Sequence, residues 1–365
     1  MLAKRIETFE EFQAQPESLR GLYFGTDSGK LQSVIVAQQF STDFLMYIFK
    51  LADIIREIED IKPGADFLQT LCSNKRVTLL FEQPSTRTRV SFEAACQILG
   101  INPILVTDPT TSSQYKGETG LDTVQTLSEY VDLLIIRHSA PGFVENAAWH
   151  LSRTRRKIPV INAGSSQDQH PTQALLDVYT MYRKFRKSGG FDGKVITFVG
   201  DLRSRTVRSN VYLLRNFPGI KLQFCAPPDH QIEDDIINFL DKHQVDYEIF
   251  NVFGKEQIEV SDAIYMTRFQ NDYDKNDPDR ASRVIAGFTM GLIQLGWLKP
   301  DAIVAHPLPR RLELDPACDV DPRIVIWSET RNGLWIRVAL EAIIFGVDNV
   351  IKNHPDYTAM FNRKV

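Results

Sequence analysis

Apolar positions along the chain fall into two rhythms. Short, nearly continuous runs rich in β-branched residues occupy 77–81, 104–107, 133–136 and 160–162, and then 195–199, 222–225, 247–250, 263–266, 303–305 and 324–327. Between them lie longer stretches whose apolar residues recur three and four positions apart. Such runs predict strands buried on both faces, and their alternation with amphipathic helices predicts an α/β fold of two domains, each a mostly parallel sheet flanked by helices. A long helix beginning near His170 and ending before Gly189 and Gly190 marks the junction, and a second α/β unit starts at Gly193. Residues 332–350 read as one strongly apolar helix, too short to be a domain, that packs back on the N-terminal domain. The predicted domains are therefore 1–172 with 328–365, and 173–327. Residues 1 to 32 carry no usable pattern.

Composition narrows the class. The 365 residues include 42 basic and 46 acidic side chains, a formal net charge of −4, with 43% hydrophobic and 24% charged residues. That suits about two ordinary globular domains and offers no basic field for a nucleic-acid backbone. No apolar run approaches the roughly 20 residues that span a bilayer, so no membrane partner is expected. The first residues turn acidic before any hydrophobic stretch forms, which fits neither a secretory signal nor an acid-poor transit peptide, and a cytoplasmic location is expected. Cys72, Cys96, Cys225 and Cys318 lie far apart with no histidine at metal spacing, so they read as reduced, buried or half-buried thiols, with no metal and no cofactor expected.

In an open α/β sheet, ligands meet the loops at the carboxyl ends of the strands. The first such loop runs Ser85-Thr86-Arg87-Thr88-Arg89 after an apolar strand and opens a helix. Ser85 stands where an N-cap belongs. Unpaired amides, hydroxyls and guanidinium groups crowded on one turn suit a small tetrahedral dianion. The chain has no GxxxxGK[ST] loop and no GxGxxG after either domain's first strand, which disfavours a nucleoside triphosphate or a dinucleotide. A second loop leads to His170-Pro171-Thr172-Gln173, where an imidazole at a helix start tends to stay neutral and can donate to a carbonyl oxygen. Arg137, after another strand, reaches the same rim. Lys116 on the loop 112–119 offers a further cation. Arg205 and Arg268, each after a strand of the second domain, suit a carboxylate-bearing substrate. The turn Pro307-Leu308-Pro309 offers backbone carbonyls that accept from an amine or amide. The combined pattern is a phosphate site in one domain facing a carboxylate site in the other.

These motifs, STRTR at 85–89, KGET at 116–119, HPTQ at 170–173, TRxQ at 267–270 and HPLPR at 306–310, resemble the aspartate/ornithine transcarbamylase family from about residue 31 to 347. The aspartate-using branch is the more similar, since Pro307 and the pair Arg268 and Gln270 stand where ornithine enzymes typically carry a cysteine and a different loop. The resemblance implies transfer of a carbamoyl group from carbamoyl phosphate to L-aspartate, in a homotrimer with active sites shared between neighbours, open to a regulatory chain or pathway-enzyme partner. It implies that Ser85, Thr86, Arg87, Thr88 and Arg137 hold the phosphate, and that Thr88, Arg137 and His170 surround the carbonyl oxygen. Gln173 and the carbonyls of Pro307, Leu308 and Pro309 would take the carbamoyl amide, and Arg205, Arg268 and Gln270 the aspartate. Lys116 would reach in from the adjacent subunit. Two departures bear on loop placement: Tyr115 stands where many relatives carry a lysine, and Arg205 follows its strand by one residue fewer. The alternatives are transfer to ornithine or an acylated ornithine, which a positive pocket would repel, and a non-catalytic ligand-binding paralogue.

Overall fold

The computed structural model describes residues 6–15, 20, 21, 23, 24, 31–107, 117–269 and 286–354. The chain divides into two compact units, Met1–Thr172 with Gly333–Val365, and Gln173–Asn332. It leaves the first unit inside the helix Pro171–Phe185 and re-enters it inside the helix Ile326–Phe345. The return falls at Gly333 rather than at 328 because the first turns of that helix are bonded into the second unit. Glu329 Oε2 accepts from the His306 backbone N–H at 2.9 Å, and Asn332 Nδ2 donates to Thr180 Oγ1 at 2.9 Å.

In the first unit β1 (Val77–Phe81), β2 (Ile104–Val106), β3 (Leu133–His138) and β4 (Val160–Ser165) form a parallel sheet in the order β2-β1-β3-β4. Every residue of β1 and β4 is buried, which explains their unbroken apolar reading, whereas β2 sits at the edge with Ile104 and Leu105 exposed. Described residues from the opening stretch that is opaque in the sequence contribute to this core. The helix Phe9–Gln13 delivers a fully buried Phe12 against the rings of Phe24, Tyr23 and Trp149.

In the second unit β5 (Val195–Val199), β6 (Lys221–Cys225), β7 (Asp246–Phe250), β8 (Ala263–Met266) and β9 (Ile303–Ala305) form a parallel sheet in the order β7-β6-β5-β8-β9. Chain order reverses beside β1 in the first sheet and beside β5 in the second. Each sheet therefore has a switch point, between β1 and β3 and between β5 and β8, where the loops at the carboxyl ends diverge and leave a crevice.

Two expectations are corrected. Residues 324–327 are not a strand: Ile324 makes a single bridge to Val304, and the chain enters a helix at Ile326. Two residues of edge pairing do not outweigh twenty residues of helix whose stretch from Leu334 to Ala342 is buried almost throughout. Nor is 332–350 one helix. It starts earlier and stops at Phe345, where Gly346 takes a left-handed φ of 71° and Val347 N–H reaches back to Ala342 O at 2.9 Å, a Schellman stop, before the short helix Asp348–Lys352.

All four cysteines are buried and free, and burial pushes the thiols of Cys72 and Cys225 up to about 12. Among the described residues no helix is long and apolar enough to cross a membrane.

The helix Ile326–Phe345 also carries Glu341, fully buried in the first unit, where burial holds its carboxyl well above the usual range against the smaller pull of Cys96 and Arg337. An acid protonated in the folded protein but ionised in the unfolded chain supports folding below its unfolded pKa and loses that support as pH rises toward its folded value. Glu341→Gln is therefore expected to melt close to wild type near pH 4.5 and progressively higher than wild type from pH 5 to 8. Thermal melts across that range check it, and a difference independent of pH would contradict it.

Candidate active site

Each switch point gathers predicted residues. In the first unit Phe81 of β1 pairs in register with Arg137 of β3, and Glu82 N–H donates to Arg137 O at 3.0 Å, so the 82–88 loop starts beside Arg137. Ser85 occupies the N-cap position of the helix Thr86–Ile98, but its side chain makes no capping hydrogen bond, so its hydroxyl is not committed to the helix as a cap. Thr86 and Arg87 are exposed, Thr88 is buried, and Arg89 pairs with Glu93 one turn on at 3.3 Å.

Arg137 and His170 are both buried, and one glycine lets them meet. Gly164, in β4 at φ 121°, lies so close to them that an added Cβ would stand 2.4 Å from Arg137 Nη1 and 3.4 Å from His170 Cδ2. Arg137 Nη1 donates to Ala163 O at 3.0 Å, and Gly164 N–H donates to Asn162 Oδ1 at 2.8 Å, so the guanidinium is seated on the backbone of β4. His170 immediately precedes the helix Pro171–Phe185, whose proline start forfeits only an amide without a helical partner. Its Nδ1 lies 3.4 Å from Thr172 Oγ1.

Sequence reasoning passed over the brace next door. His138 Nδ1 accepts from Ala140 N–H at 2.9 Å, so its proton sits on Nε2 and is donated to Glu82 Oε2 at 2.8 Å, while the ring stacks on Phe143 at 3.9 Å between centroids. This pair ties the loop after β1 to the end of β3. A cavity of about 350 Å³ in the same unit is lined by Arg20, Glu145, Asp168 and Gln169 among others, and by none of the predicted anion-binding side chains.

In the second unit Val199 of β5 pairs in register with Met266 of β8, and Tyr265 with Ala305 of β9, so the loops bearing Arg205, Arg268 and Pro307 begin side by side. Thr267 locks the first two. Its N–H and hydroxyl donate to Val199 O at 2.7 and 3.0 Å, and Gly200, at φ 113°, has no room for a Cβ, which would fall 2.1 Å from Thr267 O. Arg205 is the first residue of the helix Arg205–Leu214, capped by Ser204, whose hydroxyl accepts from Val207 N–H. Arg205 and Arg268 are both half-buried, while the neighbouring Arg203 is spent on a two-bond pair with Asp201 at 2.9 and 3.0 Å.

The 306–309 turn is held from beneath. His306 Nδ1 accepts from Leu308 N–H at 2.8 Å, which leaves Nε2–H to donate to Glu313 Oε1 at 2.8 Å. Burial pushes the Glu313 carboxyl up, but hydrogen bonds from His306 and the Arg311 backbone reverse that and hold it below the usual range. Leu308 has φ 56° and its bond to Pro309 is cis. Lys116 and Gln270 lie outside the described residues.

Comparison with known proteins places this arrangement in a class. Residues 32–183 match the aspartate/ornithine carbamoyltransferase carbamoyl-P binding domain, and residues 192–344 the Asp/Orn binding domain of the same proteins. The chain belongs to the aspartate/ornithine carbamoyltransferase family. Among its relatives, aspartate carbamoyltransferase 2 of Pisum sativum is 37% identical over 85% of this chain and 78% of its own, and the aspartate carbamoyltransferase catalytic subunit of Thermoplasma acidophilum is 35% identical over 87% and 99%. Aspartate transcarbamoylase from Trypanosoma cruzi, solved in complex with N-(phosphonacetyl)-L-aspartic acid, superposes with a TM-score of 0.77 at 31% identity, covering 87% of this chain and 97% of that one.

If Gly164 is glycine because Arg137 and His170 need its space, Gly164→Ala should cost clearly more than alanine at Gly346, a left-handed glycine of the same unit with nothing within 4 Å of its missing Cβ. Gly346→Ala is expected to lose about 1–2 kcal/mol from backbone conformation alone. Denaturant unfolding of both variants gives the comparison, and equal losses would remove the packing argument.

Proposed function

We propose that this chain transfers the carbamoyl group of carbamoyl phosphate to the amine of L-aspartate, giving N-carbamoyl-L-aspartate and phosphate, the chemistry that feeds pyrimidine synthesis. The observation that carries this reading is the chemical split between the switch points. One unit gathers Arg137, His170 and a helix N-terminus behind Ser85, and the other starts its Arg205 and Arg268 loops from paired strands.

In this reading Ser85, Thr86, Arg87 and Thr88 bind the phosphate through hydroxyls and the free amides of the first helical turn, joined by the Arg137 guanidinium. Thr88, Arg137 and His170 aim donors at the carbonyl oxygen, with the Thr172 hydroxyl donating to His170 Nδ1 so that Nε2–H points to substrate. Arg205, Arg268 and Gln270 take the two carboxylates of aspartate, and a cationic side chain such as that of ornithine is repelled. Lys116 comes from a neighbouring subunit of a homotrimer. The exposed Ile104 and Leu105 on the edge strand β2 support packing between copies, since an uncovered apolar edge invites pairing.

The neutral amine attacks the carbamoyl carbon and a C–N bond forms. The carbonyl oxygen becomes an oxyanion held by the three donors, the C–O bond to phosphate breaks, and the departing dianionic phosphate takes the proton released by the amine. Each charge-assisted hydrogen bond to the two anions contributes about 1.5–3 kcal/mol against their mutual repulsion. Losing one donor to the oxyanion typically lowers turnover by about 100 to 1,000-fold.

Two measurements test the reading. The purified chain with carbamoyl phosphate is expected to form product from L-aspartate and none of note from ornithine, and its mass in solution should equal three chains. Arg87→Ala and His170→Ala should each lower turnover by about 100-fold or more with the melting temperature little changed, and near-normal turnover in either would overturn its assignment.

A further inference from the structure

Behind the second unit's loops lies a pair of acids to which neither the family resemblance nor the chemistry above gives a role. Asp177, on the helix Pro171–Phe185, and Glu329, on the helix Ile326–Phe345, are 0% and 1% exposed. Each carboxyl lies in the other's immediate electrostatic surroundings, near enough for a hydrogen bond between them once one carries a proton.

The Asp177 carboxyl is ringed by donors. Oδ1 accepts from Gln173 Nε2 at 2.8 Å, and Oδ2 accepts from Asn210 Nδ2 at 2.8 Å and from the Tyr265 hydroxyl at 2.7 Å. Glu329 has one donor, the His306 N–H on Oε2, and its Oε1 has no conventional partner. Two carboxylates have only acceptor oxygens, so a contact between them requires a proton, and a buried pair cannot hold both charges. Burial pushes the Asp177 carboxyl up as well, but its three donors oppose that push, so of the two acids Asp177 is the anion. The proton therefore belongs to Glu329 Oε1, and burial beside Asp177 holds that carboxyl well above its usual range.

Every bond of this cluster ends on a residue that the proposed reaction uses or on its immediate support. Gln173 spends an amide N–H on Asp177, which fixes the amide with its carbonyl oxygen still to serve as an acceptor. Asn210 also donates to Thr206 O at 3.0 Å, anchoring the turn that carries Arg205. Tyr265 lies three residues before Arg268. Glu329 holds the backbone at the start of the turn whose 307–309 carbonyls, with Gln173, would take the carbamoyl NH₂ in the proposed reaction.

Building on the reading in the preceding section, we propose that Asp177 and Glu329 are positioning residues: a neutral Glu329 donates to an ionised Asp177, and this bond orients Gln173 and the 306–309 turn as acceptors that select an NH₂ group on the acyl phosphate. They touch no substrate. Their effect is on which acyl group is preferred, not on how tightly phosphate is held.

Acetyl phosphate isolates that effect, because it keeps the phosphate and the carbonyl and replaces NH₂ by CH₃. The readout is the ratio of acetyl phosphate to carbamoyl phosphate dissociation constants on the full-length protein, with aspartate turnover alongside. Glu329→Leu is expected to weaken carbamoyl phosphate tenfold or more and acetyl phosphate less than twofold. Tyr265→Phe, which removes one donor with little change in packing, should lower the ratio about threefold. Glu329→Gln supplies an N–H toward Asp177 and a carbonyl for His306, and should keep the ratio within twofold.

An unchanged ratio in Glu329→Leu and Tyr265→Phe overturns the proposal, and if the leucine variant does not fold, Tyr265→Phe decides alone. A ratio lost equally in Glu329→Gln overturns the neutral-donor assignment. Wild-type protein that forms no N-carbamoyl-L-aspartate and shows no preference for carbamoyl phosphate sinks the underlying reaction instead, so the two failures are distinct.

Discussion

The structure depends on strands that run parallel and are buried on both faces. Consecutive parallel strands cannot be joined by hairpins, so each is followed by a crossover, and all carboxyl ends in a sheet open on the same side. In both units the first strand of the sheet sits inside it, with its successor on one side and a later strand on the other. That arrangement makes a crevice before any functional residue is chosen. What remains is local chemistry: a helix N-terminus after β1, guanidinium groups at the end of β3 and after β5 and β8, and carbonyls after β9.

The local chemistry survives only because polar groups in these crevices are fixed by others beneath them. Arg137 is seated on β4 because Gly164 lacks a side chain, and the 306–309 turn folds over a His306 whose two nitrogens are both committed. A guanidinium or carbonyl fixed in advance loses less rotamer freedom when a ligand arrives, and so contributes more to binding. The Thr267 clamp, the Glu82–His138 pair and the Asp177 cluster do the same work through different atoms.

Most of the sheet was legible in the sequence because burial on both faces removes the polar alternation that could confuse a strand with anything else. Partial burial or a short run did not by itself defeat the reading, since β2, β7 and β9 were all legible, but apolar composition without its three-dimensional context did. Residues 324–327 carry a strand's composition but belong to the entrance of a long buried helix, and Phe12 and Phe24 pack their rings into the core without any periodicity to announce them. The candidate site divides along the same line. Ser85 to Thr88, His170 and Arg268 stand out because each lies in a short polar motif beside an apolar run. Gly164, Asp177 and Glu329 do not, because a glycine or an acid gains meaning only from neighbours far away in sequence. Ser85 does stand at the N-cap position its motif indicated, and its side chain makes no capping hydrogen bond.

The helix Ile326–Phe345 shows how far context decides the role of a residue type. It carries two acids that are buried and pushed strongly toward the neutral form, Glu329 and Glu341. Glu341 lies beside the Cys96 thiol and the Arg337 guanidinium, whose pull is smaller than the effect of burial, so the residue is a cost to folding that rises with pH. Glu329 faces an acceptor that needs a donor, with a backbone N–H on its other oxygen, so the same protonated carboxyl becomes a two-ended link between a helix and a turn. A leucine in place of Glu329 would take one donor from Asp177, which would keep three, and would leave the His306 amide without its acceptor. The difference lies wholly in what stands opposite the proton.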